Sequence, residues 1–196
     1  MSDPTAYPLP EVRILGPVSV TAAGPVDPTH RHRLAELGAY LALTAPAGRT
    51  AAAVDAAIWP GPRPAMNTRH AALSRLRRWW GHDESGEAYV ERHSYAVRAW
   101  SDWGQVCALA GYQGGVAALE EASTADLTAA LHLVQGRPFA GAQWRRYGWA
   151  DRLRVDVEYL LDQIAGELID REGECSHPGR LALAVRSVAV PWASAS

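Results

Sequence analysis

Between Trp59 and Gly81 the chain reads WPGPRPAMNTRHAALSRLRRWWG, and five arginines (Arg63, Arg69, Arg75, Arg77 and Arg78) occur there without one acidic residue. Over the whole sequence the balance runs the other way, with 19 basic against 21 acidic side chains and a formal net charge of −2. Positive charge is sorted onto one element. A guanidinium is a permanently charged, planar fork of donors that matches phosphate oxygens and the O6/N7 edge of guanine. A cluster of them raises the local potential, and the polyanion that responds most strongly is a nucleic-acid backbone. All 19 basic residues are Arg and none is Lys.

The elements that must position these residues follow from local signals. VRILGPVSVTAAG (residues 12–24) is β-branched and interrupted by Gly16-Pro17, which predicts two short strands joined by a turn. Asp27-Pro28-Thr29 supplies capping side chains ahead of Leu34, Leu37, Tyr40 and Leu41, spaced for a first helix that stops at Pro46-Ala47-Gly48. Thr50 caps a short second helix, AAAVDAAIW, ending at Pro60. The third helix is expected to begin after Asn67 as N-cap and to stop at Gly81. Leu73, Leu76 and Trp80 fall on one of its faces, which assigns Trp80 to the core, and Arg69, Ser74, Arg75, Arg77 and Arg78 cover the rest. Trp79 is expected over the neighbouring hairpin or the domain junction. After a polar loop, HDESGE, residues Tyr89-Val90 and Tyr95-Val97 fit the two arms of a hairpin. Helix, loop, helix, basic helix and hairpin is the order of a winged helix-turn-helix.

Ile58-Trp59-Pro60, the Pro-rich loop, Asn67-Thr68, Leu73-Ser74-Arg75-Leu76-Arg77-Arg78 and Gly81 closely resemble the winged-helix domain of the Streptomyces antibiotic regulatory protein class. In that class an OmpR-like DNA-binding domain precedes an all-helical bacterial transcriptional activation domain. The resemblance spans about residues 10–100. It implies a recognition helix over residues 67–80 with Thr68, Arg69, His70, Ser74, Arg75, Arg77 and Arg78 facing DNA. The hairpin is expected to approach the minor groove or flanking backbone through Arg92 and Arg98. The wing departs from the class, carrying Ser94-Tyr95-Ala96-Val97 where a Gly-Tyr pair followed by an apolar residue is usual.

From Ser101 on the pattern is helical: DWGQVCALAGYQ, GGVAALEEA, DLTAALHLV, a long stretch from Trp144 to Glu174, and PGRLALAVRSVAV. The punctuation GRPFAG (residues 136–141), followed by WADRLR (residues 149–154), resembles the start of the transcriptional activation domain. In that domain helices pair into tetratricopeptide-like repeats. Only about one repeat's worth of sequence follows the long helix, so the array is expected to be short compared with full-length regulators of the class. The expected organisation is a flexible tail at 1–10, a winged-helix domain over 11–100 and a helical domain over 101–196, giving a mainly α fold with small antiparallel hairpins.

Several classes are disfavoured. No apolar run approaches the ~20 residues of a membrane span, and SDPTAYPLP after Met1 lacks the pattern of a secretory signal. Two cysteines, Cys107 and Cys175, are too few and too distant for a disulfide framework, and a cytoplasmic setting is expected. His30, His32 and His70 do not share the spacing of a metal site, and no cofactor is implied. The glycines of residues 111–115 have neither the spacing nor the lysine of a phosphate loop, and no nucleophile elbow or His-Glu-x-x-His occurs, so no enzyme is expected. The reading is a sequence-specific regulator of double-stranded DNA whose C-terminal helices dock RNA polymerase or a second copy of the chain. The competing reading is a non-enzymatic interaction module whose arginine face holds an acidic protein surface, since fold alone does not fix function.

Overall fold

The computed structural model describes residues 8–44, 48–61, 66–113, 115–143 and 146–174. Arg63, most of the expected tail and the last expected helix, over 178–190, lie outside the described residues. The chain divides into two compact units, but not by a single cut near residue 100. Residues up to Val12, Ser19–Ser101 and Gln143–Ala150 form the first; Arg13–Val18, Asp102–Ala142 and the chain from Asp151 on form the second.

In the first unit, β1 (Glu11–Arg13), β2 (Ser19–Thr21) and β3 (Trp100–Ser101) make a sheet of order β2-β1-β3. β1 and β3 run parallel, with Glu11 opposite Trp100 and Val12 opposite Ser101. Pro10 is already buried, and its carbonyl accepts the Trp100 N–H at 2.9 Å, so the chain is anchored before β1 begins.

Three helices follow: α1 (Pro28–Thr44), α2 (Ala51–Ile58) and α3 (Met66–Trp80). Two of their starts are capped as expected. Asp27 Oδ1 accepts the Thr29 N–H at 2.8 Å and its hydroxyl at 2.7 Å, and Thr50 Oγ1 accepts the Ala53 N–H at 3.2 Å. Asn67, in contrast, is not the cap of α3, because that helix is already under way at Met66. The sequence ahead of it carries prolines at 60, 62 and 64, each of which disfavours a helix through the residue before it.

Leu34, Leu37, Leu41, Ile58, Leu73 and Leu76 form the core around Trp80, which is 0% exposed. Trp79, 1% exposed, is buried as well, with the Arg31 guanidinium 6.0 Å from its ring centroid, so its ring lies beside α1. The last turn of α3 can approach α1 this closely because α1 carries Gly38 there. A Cβ at Gly38 would stand 2.6 Å from Cζ2 of Trp80.

Gly38→Ala sets two effects against each other. Helix propensity gains ~1 kcal/mol, whereas forcing a methyl against an indole that cannot move aside costs ~1–3 kcal/mol. Overpacking wins, and the melting temperature is expected to fall. An unchanged or raised melting temperature in a thermal scan contradicts the close approach.

The second unit contains α4 (Asp102–Leu109), α5 (Thr124–His132) and α6 (Asp151–Glu174), with α5 packed on both α4 and α6. Two helical expectations are corrected. The described part of GGVAALEEA forms turns, because Gly111 and Gly115 adopt φ of +60° and +96° and Val116, left 72% exposed, has no surface to pack on. In place of a helical ladder, Arg171 of α6 donates to the Leu119 and Ala122 carbonyls at 2.7 and 2.9 Å. The long helix starts at Asp151 rather than Trp144, behind a 3-10 turn at Gly148–Ala150.

The second unit is tied together by one buried carboxylate. Asp102, 2% exposed, accepts the Ile14 N–H at 2.9 Å, the Leu15 N–H at 2.9 Å and the Trp103 N–H at 2.8 Å. Burial pushes its carboxyl above the usual range, against the opposing pull of those amides. The Ile14, Leu15 and Gly16 carbonyls in turn accept from Phe139, Gln135 and Ala140 at 2.8, 2.6 and 2.9 Å. The stretch between the first two strands is thus laced to the loop after α5.

Candidate nucleic-acid interface

The amphipathic reading of α3 holds in outline: Ala72, Leu73, Leu76, Trp79 and Trp80 are buried, while Thr68, His70, Ser74, Arg75 and Arg78 are exposed. The arginines nevertheless divide into two groups that their spacing does not distinguish.

Arg69, Arg77 and Arg98, all expected to face DNA, have guanidinium donors engaged inside the unit. Arg69 pairs with Asp55 of α2, and the two side chains are only 12% and 7% exposed. A carboxylate held that deep requires a cation, and Arg69 supplies it. Arg77 donates from Nε to the Val90 carbonyl at 3.2 Å and from Nη2 to the Glu91 and Arg92 carbonyls at 2.9 and 3.3 Å, which fixes the hairpin to α3. Partial burial lowers its pKa from the ordinary arginine value. Arg98 contacts Asp83 at 2.7 Å and Glu87 at 3.4 Å, and lies over the Tyr89 ring at 5.3 Å. These three are scaffold arginines.

Arg75, Arg78 and Arg92 are the other group. They are exposed, as are Thr68, His70 and Ser74, and among the described residues none of the six side chains makes a hydrogen bond or ion pair. Arg75 and Arg78 face a cleft of about 210 Å³ whose other walls are Pro25, Val26, Asp27, His30 and Leu34 at the start of α1. The Asp27 carboxyl is held below its ordinary value of 3.8, mainly by the Thr29 hydroxyl and amide, with His30 and Arg75 adding attraction. Nothing in the hydrophobic periodicity of α1 points to this cleft; the only signal was the cationic run His30-Arg31-His32-Arg33, whose members part company. His30 lines the cleft, Arg31 covers Trp79, and Arg33 donates to the Ile58 carbonyl at 2.6 Å and to Glu36 at 3.2 Å. Glu36 is 0% exposed and also meets Arg146 at 3.2 Å, so one buried carboxylate is shared by two partly exposed arginines, an arrangement with no sequence signal.

The expected hairpin exists, but no regular strand is present in it. It pairs through the single bridges His82↔Ala88 and Val90↔Val97, with the Arg98 N–H on the Tyr89 carbonyl and the Glu91 N–H on the Ala96 carbonyl, each at 2.9 Å. Tyr95 at φ +55° turns the tip, and side chains supply the order that a longer ladder would otherwise give. The tip is pinned from outside as well: the Ser94 carbonyl accepts the Arg49 N–H at 3.0 Å, in a space that Gly48, at φ +69°, keeps open. At the base, Asp83 accepts from the Ser85 amide and hydroxyl and from the Glu87 amide, besides Arg98.

The Ser85 and Arg98 contacts depress the Asp83 pKa strongly below its ordinary 3.8. A depressed carboxyl contributes stability that is fully present above the unfolded value and lost progressively as pH falls from there through the lower folded value. The hairpin is therefore expected to loosen below about pH 4. Amide exchange at Glu87 and Arg98, followed across pH 3–6 and corrected for intrinsic rates, should show protection dropping in the wild type but not in Asp83→Asn, which is unprotected throughout. Equal protection at pH 3 and pH 6 in the wild type contradicts this.

No protein-family model matches the sequence, and no curated protein matches it. Among solved structures the fold is similar to that of Mycobacterium tuberculosis EmbR, described in complex with a low-affinity phosphopeptide, with a TM-score of 0.61 at 19% sequence identity. The match covers 82% of this chain and 45% of the EmbR chain, so this chain spans less than half the length of that protein. The expected fold class, a winged-helix unit with a helical unit after it, is the one found.

Proposed function

We propose that this chain is a sequence-specific DNA-binding transcriptional regulator, with α3 in the major groove and the 89–98 hairpin against the minor groove or flanking backbone. One observation carries the reading: α3 has no acidic residue from Met66 to Trp80, and it exposes Arg75 and Arg78 beside Thr68, His70 and Ser74 while Arg77 locks the hairpin to it. A helix with that face and a hairpin fixed at its end suit a duplex groove. The fold shared with EmbR and, separately, the motifs that resemble the Streptomyces antibiotic regulatory protein class are consistent with the same reading. Thr68, His70, Ser74 and Arg92 are then the residues available for base edges, and the helical unit is left to dock RNA polymerase or a second copy.

Selection of bound duplexes from a random pool tests this. One motif should be enriched, and His70→Ala or Thr68→Ala should shift preference at one or two positions, each worth ~1–3 kcal/mol of discrimination. Absence of any enriched motif contradicts the proposal. A second reading, an arginine face that holds an acidic protein surface, is favoured by Asp55, Asp83 and Glu87, which neutralise Arg69 and Arg98, and by Asp27, which stands in the cleft of Arg75 and Arg78. It predicts binding without duplex preference.

A further inference from the structure

Two guanidiniums that make no ion pair among the described residues, those of Arg75 and Arg78, line the cleft between the start of α1 and the outer face of α3. Its walls are chemically distinct. Arg75 and Arg78 come from α3; Asp27 and His30 come from α1; Pro25, Val26 and Leu34 supply an apolar side. At about 210 Å³ it is smaller than the ~300–1,000 Å³ of pockets that enclose drug-sized ligands. It has room for a single tetrahedral oxyanion and the edge of an attached sugar.

Its charge narrows the ligand further. Among the groups charged throughout the neutral range, two guanidiniums against one carboxylate leave one net positive charge. That suits a phosphodiester, which carries one negative charge, better than a phosphomonoester, which carries nearly two. The amides at the start of α1 are not the binding element: Thr29 N–H is on the Asp27 carboxylate, and the His30 and Arg31 N–H groups are on the Asp27 carbonyl at 3.0 and 3.1 Å. The side-chain donors on the cleft wall are those of the two arginines and the His30 ring, and Pro25, Val26 and Leu34 offer an apolar side to a deoxyribose.

We propose that this cleft is a seat for one phosphodiester of the duplex backbone, with Arg75 and Arg78 as its clamp, and that these two arginines fix the position of α3 without reading bases. The inference rests on the DNA-binding reading and deepens it by separating backbone arginines from base-reading residues. Asp27 acts here as a brake: it caps α1 and also opposes the incoming phosphate.

That brake gives a test by gain of affinity. Asn caps a helix about as well as Asp, so Asp27→Asn should leave thermal stability close to wild type while removing the opposing charge. Binding of the selected duplex, measured by fluorescence anisotropy, should tighten roughly threefold or more in Asp27→Asn at low salt, equally for selected and scrambled sequences. Arg75→Ala and Arg78→Ala should weaken both sequences evenly, leave the enriched motif unchanged and reduce the slope of log K against log salt by about one unit between them. A changed motif in either arginine variant, or no tightening in Asp27→Asn while the wild type binds, overturns the seat and leaves the regulator reading standing. If the wild type binds no duplex, both fall. Inorganic pyrophosphate distinguishes the remaining source: its binding to the wild type as tightly as the duplex, and lost in Arg75→Ala, would identify a free-anion site and overturn the assignment to DNA.

Discussion

Asp102→Ala is expected to destabilise the chain by about 3–5 kcal/mol, enough to unfold much of a marginally stable protein. The substitution removes a carboxylate that satisfies three amides, those of Ile14, Leu15 and Trp103, and it leaves those N–H groups without an acceptor in a place where Asp102 itself is 2% exposed. Each buried unsatisfied donor costs ~1–3 kcal/mol, and the three act on the same crossing of chain segments, so the effects are not independent. Asp102→Asn keeps one acceptor oxygen and should recover part of the loss. Chemical denaturation of both variants checks the order wild type, Asn, Ala; an Ala variant within 1 kcal/mol of wild type contradicts the role assigned to this side chain.

Asp55→Ala is the second large effect, expected to cost about 3 kcal/mol, because it strands the Arg69 guanidinium where only 12% of that side chain reaches water. The pair joins α2 to α3, so under the proposed function its loss should also weaken DNA binding by displacing α3. The magnitude belongs to the broken pair rather than to the intact one. Replacing both partners together, as Asp55→Leu with Arg69→Met, should destabilise less than Asp55→Ala alone, since no charge is then left buried. If the double variant is less stable than the single, or if Asp55→Ala melts with the wild type, Arg69 is not a scaffold arginine. DNA binding that survives in a stable Arg69→Met variant would complete the case that Arg69 is no base reader.

How far the sequence could be read depended on the range of the interaction involved. Caps at Asp27 and Thr50, the core face of α3 and the burial of Trp80 are set within a few residues, and all were legible. The division of labour among the arginines was not. Asp55 lies 14 residues before Arg69, and Asp83 lies 15 before Arg98, so no helical or strand period carries either pairing. Seen locally, Arg69, Arg75, Arg77 and Arg78 are equivalent members of one basic helix. Only the folded unit reveals that the first is neutralised from α2 and the third spends its donors on backbone carbonyls of the hairpin.

The mistaken helix over 114–122 has a related cause. Its alanines, leucine and glutamates favour a helix by intrinsic propensity, yet the carbonyls of Leu119 and Ala122 accept from Arg171, some 50 residues on. The Asn67 cap failed for a local reason: prolines outrank capping residues in deciding where a helix can start. Similarly, Gly16-Pro17 did mark a break between two strands, but the Ile14–Gly16 carbonyls it leaves free are taken by residues 135–140 in the second unit.

The most direct measurement is the affinity of the purified chain for its selected duplex and for a scrambled duplex, titrated from 50 to 200 mM salt. The account predicts tighter binding of the selected sequence by at least tenfold at every salt concentration, with log K falling linearly against log salt at a slope of about −0.9 for each phosphate contacted. Equal affinity for both duplexes, or binding indifferent to salt, would contradict the claim that the exposed side of α3 is a DNA-reading surface.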